Sequence, residues 1–214
     1  MRSVMRTLGL AAGIAAAAVL SGAQELQDIA LPAPNMEGGR PLMQVLRDRK
    51  TSRTFNAKPL PLQMLSDLLW AGAGINRPDS GKRTAPSAMN WQEIEVYAVL
   101  ESGAYLYDAK ANSLKAVAAG DLRKLVGGQP FVSTAPLNLV YVADESKMTR
   151  GSPEDQARYS AADTGFISQN VYLYCASEGL ATVVRGGLDR AAMSAALKLP
   201  ENKTIILAQT VGYP

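Results

Sequence analysis

Apolar positions recur along this chain at two different spacings. Leu42, Val45 and Leu46 follow Pro41 at helical spacing, which predicts a short helix over 41–50. Pro61 opens a second helix whose one face is Leu62, Leu65, Leu68 and Leu69, with Gly72 and Gly74 at its end. A period of two takes over at 93–100, where Ile94, Val96 and Ala98 alternate with Glu95 and Tyr97, and this predicts a strand. Short strands near 104–108 and 113–118 read as a hairpin, and 122–126 as one or two helical turns. The run 137–143 is a short apolar strand, buried on both faces, between Pro136 and Asp144. Ser152, Pro153, Glu154 and Asp155 begin the longest helix, which the pattern carries to about Glu178 and Gly179. Its apolar residues (Phe166, Ile167, Val171, Leu173, Tyr174, Cys175) cover too much of the circumference for one neighbour. A strand at 181–185, a helix at 189–198 and a strand at 203–211 complete the pattern. Helices and strands mix without strict alternation, so the predicted class is α+β.

Three stretches fall outside these periods. Residues 1–23 join a basic start (Arg2, Arg6) to a 14-residue apolar run and a small-x-small end, the layout of a secretory signal peptide. The run is short of the roughly 20 residues a membrane span needs. The predicted location is therefore exported, periplasmic or secreted, with no stable membrane span. Residues 24–40 hold two prolines and two glycines and read as an N-terminal arm or linker ahead of a domain at 41–214. Residues 75–91 read as a long polar loop.

Composition narrows the chemistry. The 214 residues contain no histidine and one cysteine, Cys175. Ser-His-Asp and Cys-His catalysis, histidine-ligated zinc and an internal disulfide are thereby excluded. A chain of this size buries roughly 70% of its unfolded surface and needs no disulfide staple. The formal charge is +3, and without Arg2 and Arg6 it is +1. The predicted pI of about 9.0 is thus weak support for a nucleic-acid partner, and none is expected.

Three segments could carry a ligand. Arg49, Lys50, Thr51 and Arg53 lie in a stretch, 47–58, with five cations and one acid. Closely spaced guanidinium, ammonium and hydroxyl donors suit a phosphate, although such a stretch alone also reads as a solvated basic turn. Pro86, Ser87, Asn90 and Gln92 precede the 93–100 strand. Amides there suit a ring edge that alternates acceptors and donors, or else cap their own turn. Arg185, Gly186 and Gly187 follow a β-branched strand, and a glycine pair lets backbone approach a flat ligand, or simply turns the chain into the next helix.

The order of these segments resembles the nitroreductase family of FMN flavoproteins. Arg49, Lys50, Thr51, Arg53 and Phe55 match its opening Arg-Arg-Ser-x-Arg-x-Phe pattern, and Pro86, Ser87, Asn90 and Gln92 match its Pro-Ser-x-x-Asn-x-Gln loop. Ala161, Asp163, Gly165, Gln169, Asn170, Gly179 and Leu180 match its central helix. The ending Gln209–Pro214 is most similar to the short SagB-like dehydrogenase branch.

The resemblance implies a mixed, mainly antiparallel sheet flanked by helices, in an intertwined homodimer with FMN at the interface. It implies that Arg49, Lys50, Thr51 and Arg53 hold the FMN phosphate and ribityl chain. Pro86, Ser87 and Asn90 would line the isoalloxazine, and Arg185, Gly186 and Gly187 would lie at flavin N5. The implied activity is hydride transfer through N5 to or from a small nitro, quinone or azoline-like substrate, with NAD(P)H as one donor, no catalytic side chain and no metal. Nicotinamide donors are scarce outside the cytoplasm. Larger members also grip the phosphate with a Lys or Arg beyond the Gly-Tyr-Pro, with no counterpart in the sequence at hand. Both points leave room for an exported, non-enzymatic member that binds flavin or another anion.

Overall fold

The computed structural model describes residues 25–214, so the expected signal peptide lies outside the described residues. The strands are β1 (Ile29–Ala30), β2 (Ile75–Arg77), β3 (Lys82–Arg83), β4 (Ile94–Val99), β5 (Gly103–Asp108), β6 (Ser113–Ala119), β7 (Leu137–Asp144), β8 (Ala181–Arg185) and β9 (Lys203–Gly212). The helices are α1 (Leu42–Asp48), α2 (Leu62–Ala73), α3 (Pro130–Thr134), α4 (Pro153–Glu178) and α5 (Arg190–Ala196). Seven strands form one sheet in the order β1-β6-β5-β4-β7-β9-β8, and β2 and β3 pair apart from it. Every pairing among the described residues is antiparallel.

The pleat sorts the core into two clusters. Ile94, Val96 and Ala98 of β4 join Leu139 and Tyr141 of β7 beneath Leu65, Leu68 and Leu69 of α2 and Ile167 and Val171 of α4. Their neighbours Tyr97 and Val99 join Val140 and Val142 on the other face, with Val132 of α3 and Met193 of α5. The sheet is therefore covered on both sides, and β4 is more buried than a half-exposed alternating strand would be.

α4 starts as predicted. Ser152 accepts the Asp155 N–H, Asp155 answers to the Ser152 N–H, and Pro153 fills the first turn. Gly179 ends it at φ 70°, in the left-handed region that suits glycine.

Three segments are more structured than the sequence pattern predicts. Residues 25–40 are bound to the domain rather than linking to it: Ile29 pairs with Leu114, Leu31 is buried, and the Pro32 carbonyl accepts from Ser66 Oγ at 2.6 Å and Asn112 Nδ2 at 2.8 Å. The 75–91 stretch contains the β2–β3 hairpin and two 3-10 turns. α3 was not anticipated; five residues are too few to show a helical period. No described helix is long and apolar enough to cross a membrane.

Candidate functional site

The cationic segment leaves α1 in extended backbone and runs beside β8. The Arg49 N–H closes α1 on the Val45 carbonyl, and the Ser52 N–H donates to the Thr182 carbonyl at 3.0 Å. Further on, the Asn56 N–H donates to the Tyr213 carbonyl at 3.0 Å. One side chain of α4 ties the two strands of this arrangement together. The Tyr172 hydroxyl lies 3.0 Å from Thr51 Oγ1 and accepts the Val184 N–H at 3.0 Å. The Arg49 guanidinium rests over the Tyr172 ring, 5.4 Å from its centre. Tyr172 was not among the sequence candidates.

Arg49, Lys50 and Arg53 have no carboxylate within salt-bridge distance among the described residues, whereas their neighbour Arg47 is paired with Asp48. Three cations within five residues, flanking the Thr51 hydroxyl, thus carry charge that no described carboxylate balances, and that donor set suits a phosphate.

The glycine segment lies within reach of the same place. Gly186 and Gly187 are exposed, and a Cβ built on Gly187 would meet nothing within 4 Å. Among the described residues neither N–H is taken up by a backbone acceptor outside the sheet ladder. A flat group can therefore lie close to this backbone and accept from it.

The Arg185 side chain does not take part in that surface. It shares a strand face with Ala181 and Val183 and turns into the core, 6% exposed. Its NH1 donates to the Val126 carbonyl at 2.9 Å, and its NH2 donates to Thr210 Oγ1 at 2.9 Å and Asn138 Oδ1 at 3.2 Å. Among the described residues Nε has no partner, and no carboxylate pairs with the group. Burial lowers its pKa to about 10, which leaves it charged at neutral pH. A Cβ on Gly127 would run into the Arg185 guanidinium, so a side chain there would have to displace that group from its hydrogen bonds. The guanidinium also faces the Phe131 ring, which contacts Phe55 of the cationic segment at 5.2 Å between centres. Of residue 185, only the backbone is left beside the exposed glycines.

The proline loop stands apart. The Ala88 N–H donates to Asp163 Oδ2 at 2.8 Å, and the Gln92 N–H to Ser87 Oγ at 3.0 Å. Gln92 then accepts from Arg83 Nε at 3.0 Å and donates to Asn90 Oδ1 at 3.2 Å. Met89, Asn90 and Gln92 all have φ between 50° and 55°, a concentration of left-handed non-glycine residues that marks a functional loop more often than a plain turn. Pro86, Met89 and Asn90 are exposed.

Asp163 and Tyr172 are nine residues apart on one helix, about 13 Å along its axis and about 180° around it. The proline loop and the cationic segment therefore sit on opposite flanks of α4. Between the flanks, the outward face carries Ala162, Gly165, Phe166 (47% exposed) and Gln169. A groove of about 430 Å³ borders it, lined in part by Leu42, Trp70, Asn170, Leu173 and Tyr174.

Comparisons with known proteins agree with one another. The model of the nitroreductase family matches residues 46–213. A nitroreductase-named protein of Methanocaldococcus jannaschii is 29% identical over 176 residues, 78% of this chain and 88% of that one. The crystal structure of a nitroreductase-named protein from Ralstonia eutropha JMP134 superposes with a TM-score of 0.83 at 45% identity, covering 88% of this chain and 90% of that one. The NADPH:FMN oxidoreductase of Vibrio harveyi, complexed with NAD+, shares the fold at a TM-score of 0.61 and 23% identity, over 81% of this chain and 68% of that one.

Proposed function

The chain belongs to the nitroreductase family, and from that premise we propose that it is an FMN-dependent oxidoreductase acting on a small nitro, quinone or azoline-like molecule. The observation that carries this reading is the meeting of three unpaired cations with an open glycine turn around Tyr172. Arg49, Lys50, Arg53 and Thr51 would hold the FMN phosphate and ribityl chain. The N–H groups of Gly186 and Gly187 would donate to the ring edge, as fixed dipoles placed where negative charge develops. Bound FMN supplies the hydride chemistry, and the protein supplies orientation and electrostatics. No side chain here needs to move a proton, which is consistent with a chain that lacks histidine.

The flank geometry supports a homodimer. Within one chain, Pro86, Ser87 and Asn90 lie across α4 from the cations. A second copy packed on the Ala162–Phe166 face would bring its own proline loop to this chain's Tyr172 flank. Two equivalent sites would result, each built from both chains. NAD(P)H is the donor proposed for a first trial, since the V. harveyi relative of the same fold is an NADPH:FMN oxidoreductase complexed with NAD+. If residues 1–23 act as an export signal, the donor outside the cytoplasm is of another class.

The test is an absorption spectrum of the purified protein with and without FMN, and the affinity for FMN against riboflavin. Flavin bands and a strong preference for FMN are expected. In Arg49→Ala/Arg53→Ala that preference should vanish. Protein that takes up no flavin overturns the reading and returns the non-enzymatic alternative. A double variant with FMN preference intact overturns the phosphate assignment.

A further inference from the structure

Glu93 ends the proline loop and precedes β4, outside the three ligand-candidate segments. Its side chain is 0% exposed, and among the described residues neither carboxyl oxygen has a hydrogen-bond partner. An ionised carboxylate in such a place costs several kcal/mol if left alone. The group facing it is a second carboxyl, that of Asp163 on α4, itself 2% exposed and bonded to the Ala88 N–H. Two cations lie in range, and neither neutralises it. Arg83 of β3 gives its Nε to Gln92. Lys147, in the turn after β7, stands 3.7 Å from Glu95 and 3.8 Å from Asp144. Burial, with Asp163 adding to it, pushes Glu93 up to about 7, and burial raises Asp163 as well.

We propose that Glu93 and Asp163 hold one proton between them, and that this protonated pair is a positioning device for the Pro86–Gln92 loop. With the proton in place, Asp163 stays fixed on the Ala88 N–H, and the left-handed residues Met89, Asn90 and Gln92 keep their conformation. When the proton leaves, two buried carboxylates face each other, and the element that yields is the strained loop at their side. Neither carboxyl touches a ligand. They act through Asn90 and its neighbours, so the loop is set below neutral pH and loosened above it. The consequence for flavin rests on the function proposed above; the behaviour of the loop does not.

Trp91 reports on the loop directly. It sits two residues from Glu93, edge-on to Tyr159 at 5.9 Å between ring centres. The chain has two tryptophans, so in a Trp70→Phe background Trp91 emits alone. Its emission, followed from pH 5.5 to 9 without flavin, should change in one step with a midpoint near 7. Glu93→Gln, whose amide imitates the protonated acid, should abolish the step. Asp163→Asn, which removes the facing charge, should move the midpoint down. Emission that is flat in the parent, or a step unchanged in both variants, overturns the proton pair. In the parent, FMN affinity should fall several-fold between pH 6 and pH 8.5, and Glu93→Gln should hold it constant. FMN bound equally at both values overturns the positioning role. Failure to bind FMN at either value overturns the flavin reading instead, and the Trp91 titration still decides the proton pair.

Discussion

The Tyr172 hydroxyl is shared between two chain segments, 3.0 Å from Thr51 Oγ1 on one side and accepting the Val184 N–H at 3.0 Å on the other. One oxygen on α4 thereby sets the spacing between the cationic segment and the strand that leads to the glycine pair. Tyr172→Phe keeps the ring under Arg49 and removes only this oxygen. The Val184 N–H then loses its partner, which costs about 1–3 kcal/mol. A lower Tm and roughly five-fold weaker FMN binding are expected, the latter from about 1 kcal/mol of lost positioning. Flavin titration of the variant decides it; unchanged affinity would mean that Tyr172 only braces the fold.

Arg185 is a buried cation held by neutral acceptors alone. Arg185→Met fills much of the same volume and leaves Val126, Asn138 and Thr210 short of a donor. Removing one partner from a buried polar network is strongly destabilising, here on the order of 2–4 kcal/mol. Urea denaturation should show a midpoint shifted down with an unchanged slope. A variant as stable as the parent would show that the charge and its hydrogen bonds cancel.

Self-association should depend on the outward face of α4. Phe166→Glu places a charge in the middle of the surface proposed for the second copy, and a charge buried there without a partner is costly. Sedimentation should report a shift from dimer to monomer, together with loss of bound flavin, because in the proposed dimer each site includes the partner's proline loop. A variant that remains dimeric moves the interface to another face.

The N-terminal arm should contribute to stability. A chain that starts at residue 35 loses the β1 pairing, the buried Leu31 and both bonds to the Pro32 carbonyl. Fully burying one aliphatic side chain is worth about 1.5–3 kcal/mol, so a loss on the order of 3 kcal/mol is expected. Equilibrium unfolding of the two lengths measures it.

Stability should also fall as pH rises from about 4.5 to about 7. Glu93 ionises near its ordinary value in the unfolded chain and near 7 in the folded one, so over that interval the folded state binds more protons. Glu93→Gln should flatten that slope in thermal melts. An identical slope in both proteins would show that other groups produce it.

Much of this molecule is legible in its sequence. The helices and strands with a clear period lie where their apolar spacing puts them, and the capping signals at Ser152 and Gly179 mark the ends of α4. The arm is not legible, because Leu26, Ile29 and Leu31 sit among prolines with no period, and only the partner strand reveals their use. The three candidate segments stand out by their order and spacing, since each one alone also reads as an ordinary turn. Their division across α4 does not, since it depends on which flank of the helix each one meets. Arg185 reads as a ligand group by its place beside two glycines, yet strand alternation turns it inward. Glu93 reads as the polar opening of an alternating strand, and its burial follows only from α4 lying over that end of the sheet.

The order of the sheet has a consequence for synthesis. β9 is translated after every other strand, yet it lies between β7 and β8. Among the described strands β8 has no partner but β9, and one edge of β7 stays open, until residues 203–212 have left the ribosome. The nascent chain therefore spends most of its translation with its central sheet unclosed. That interval is when a translocase or a chaperone can still hold it unfolded, and when unpaired strand edges are exposed to one another on neighbouring ribosomes.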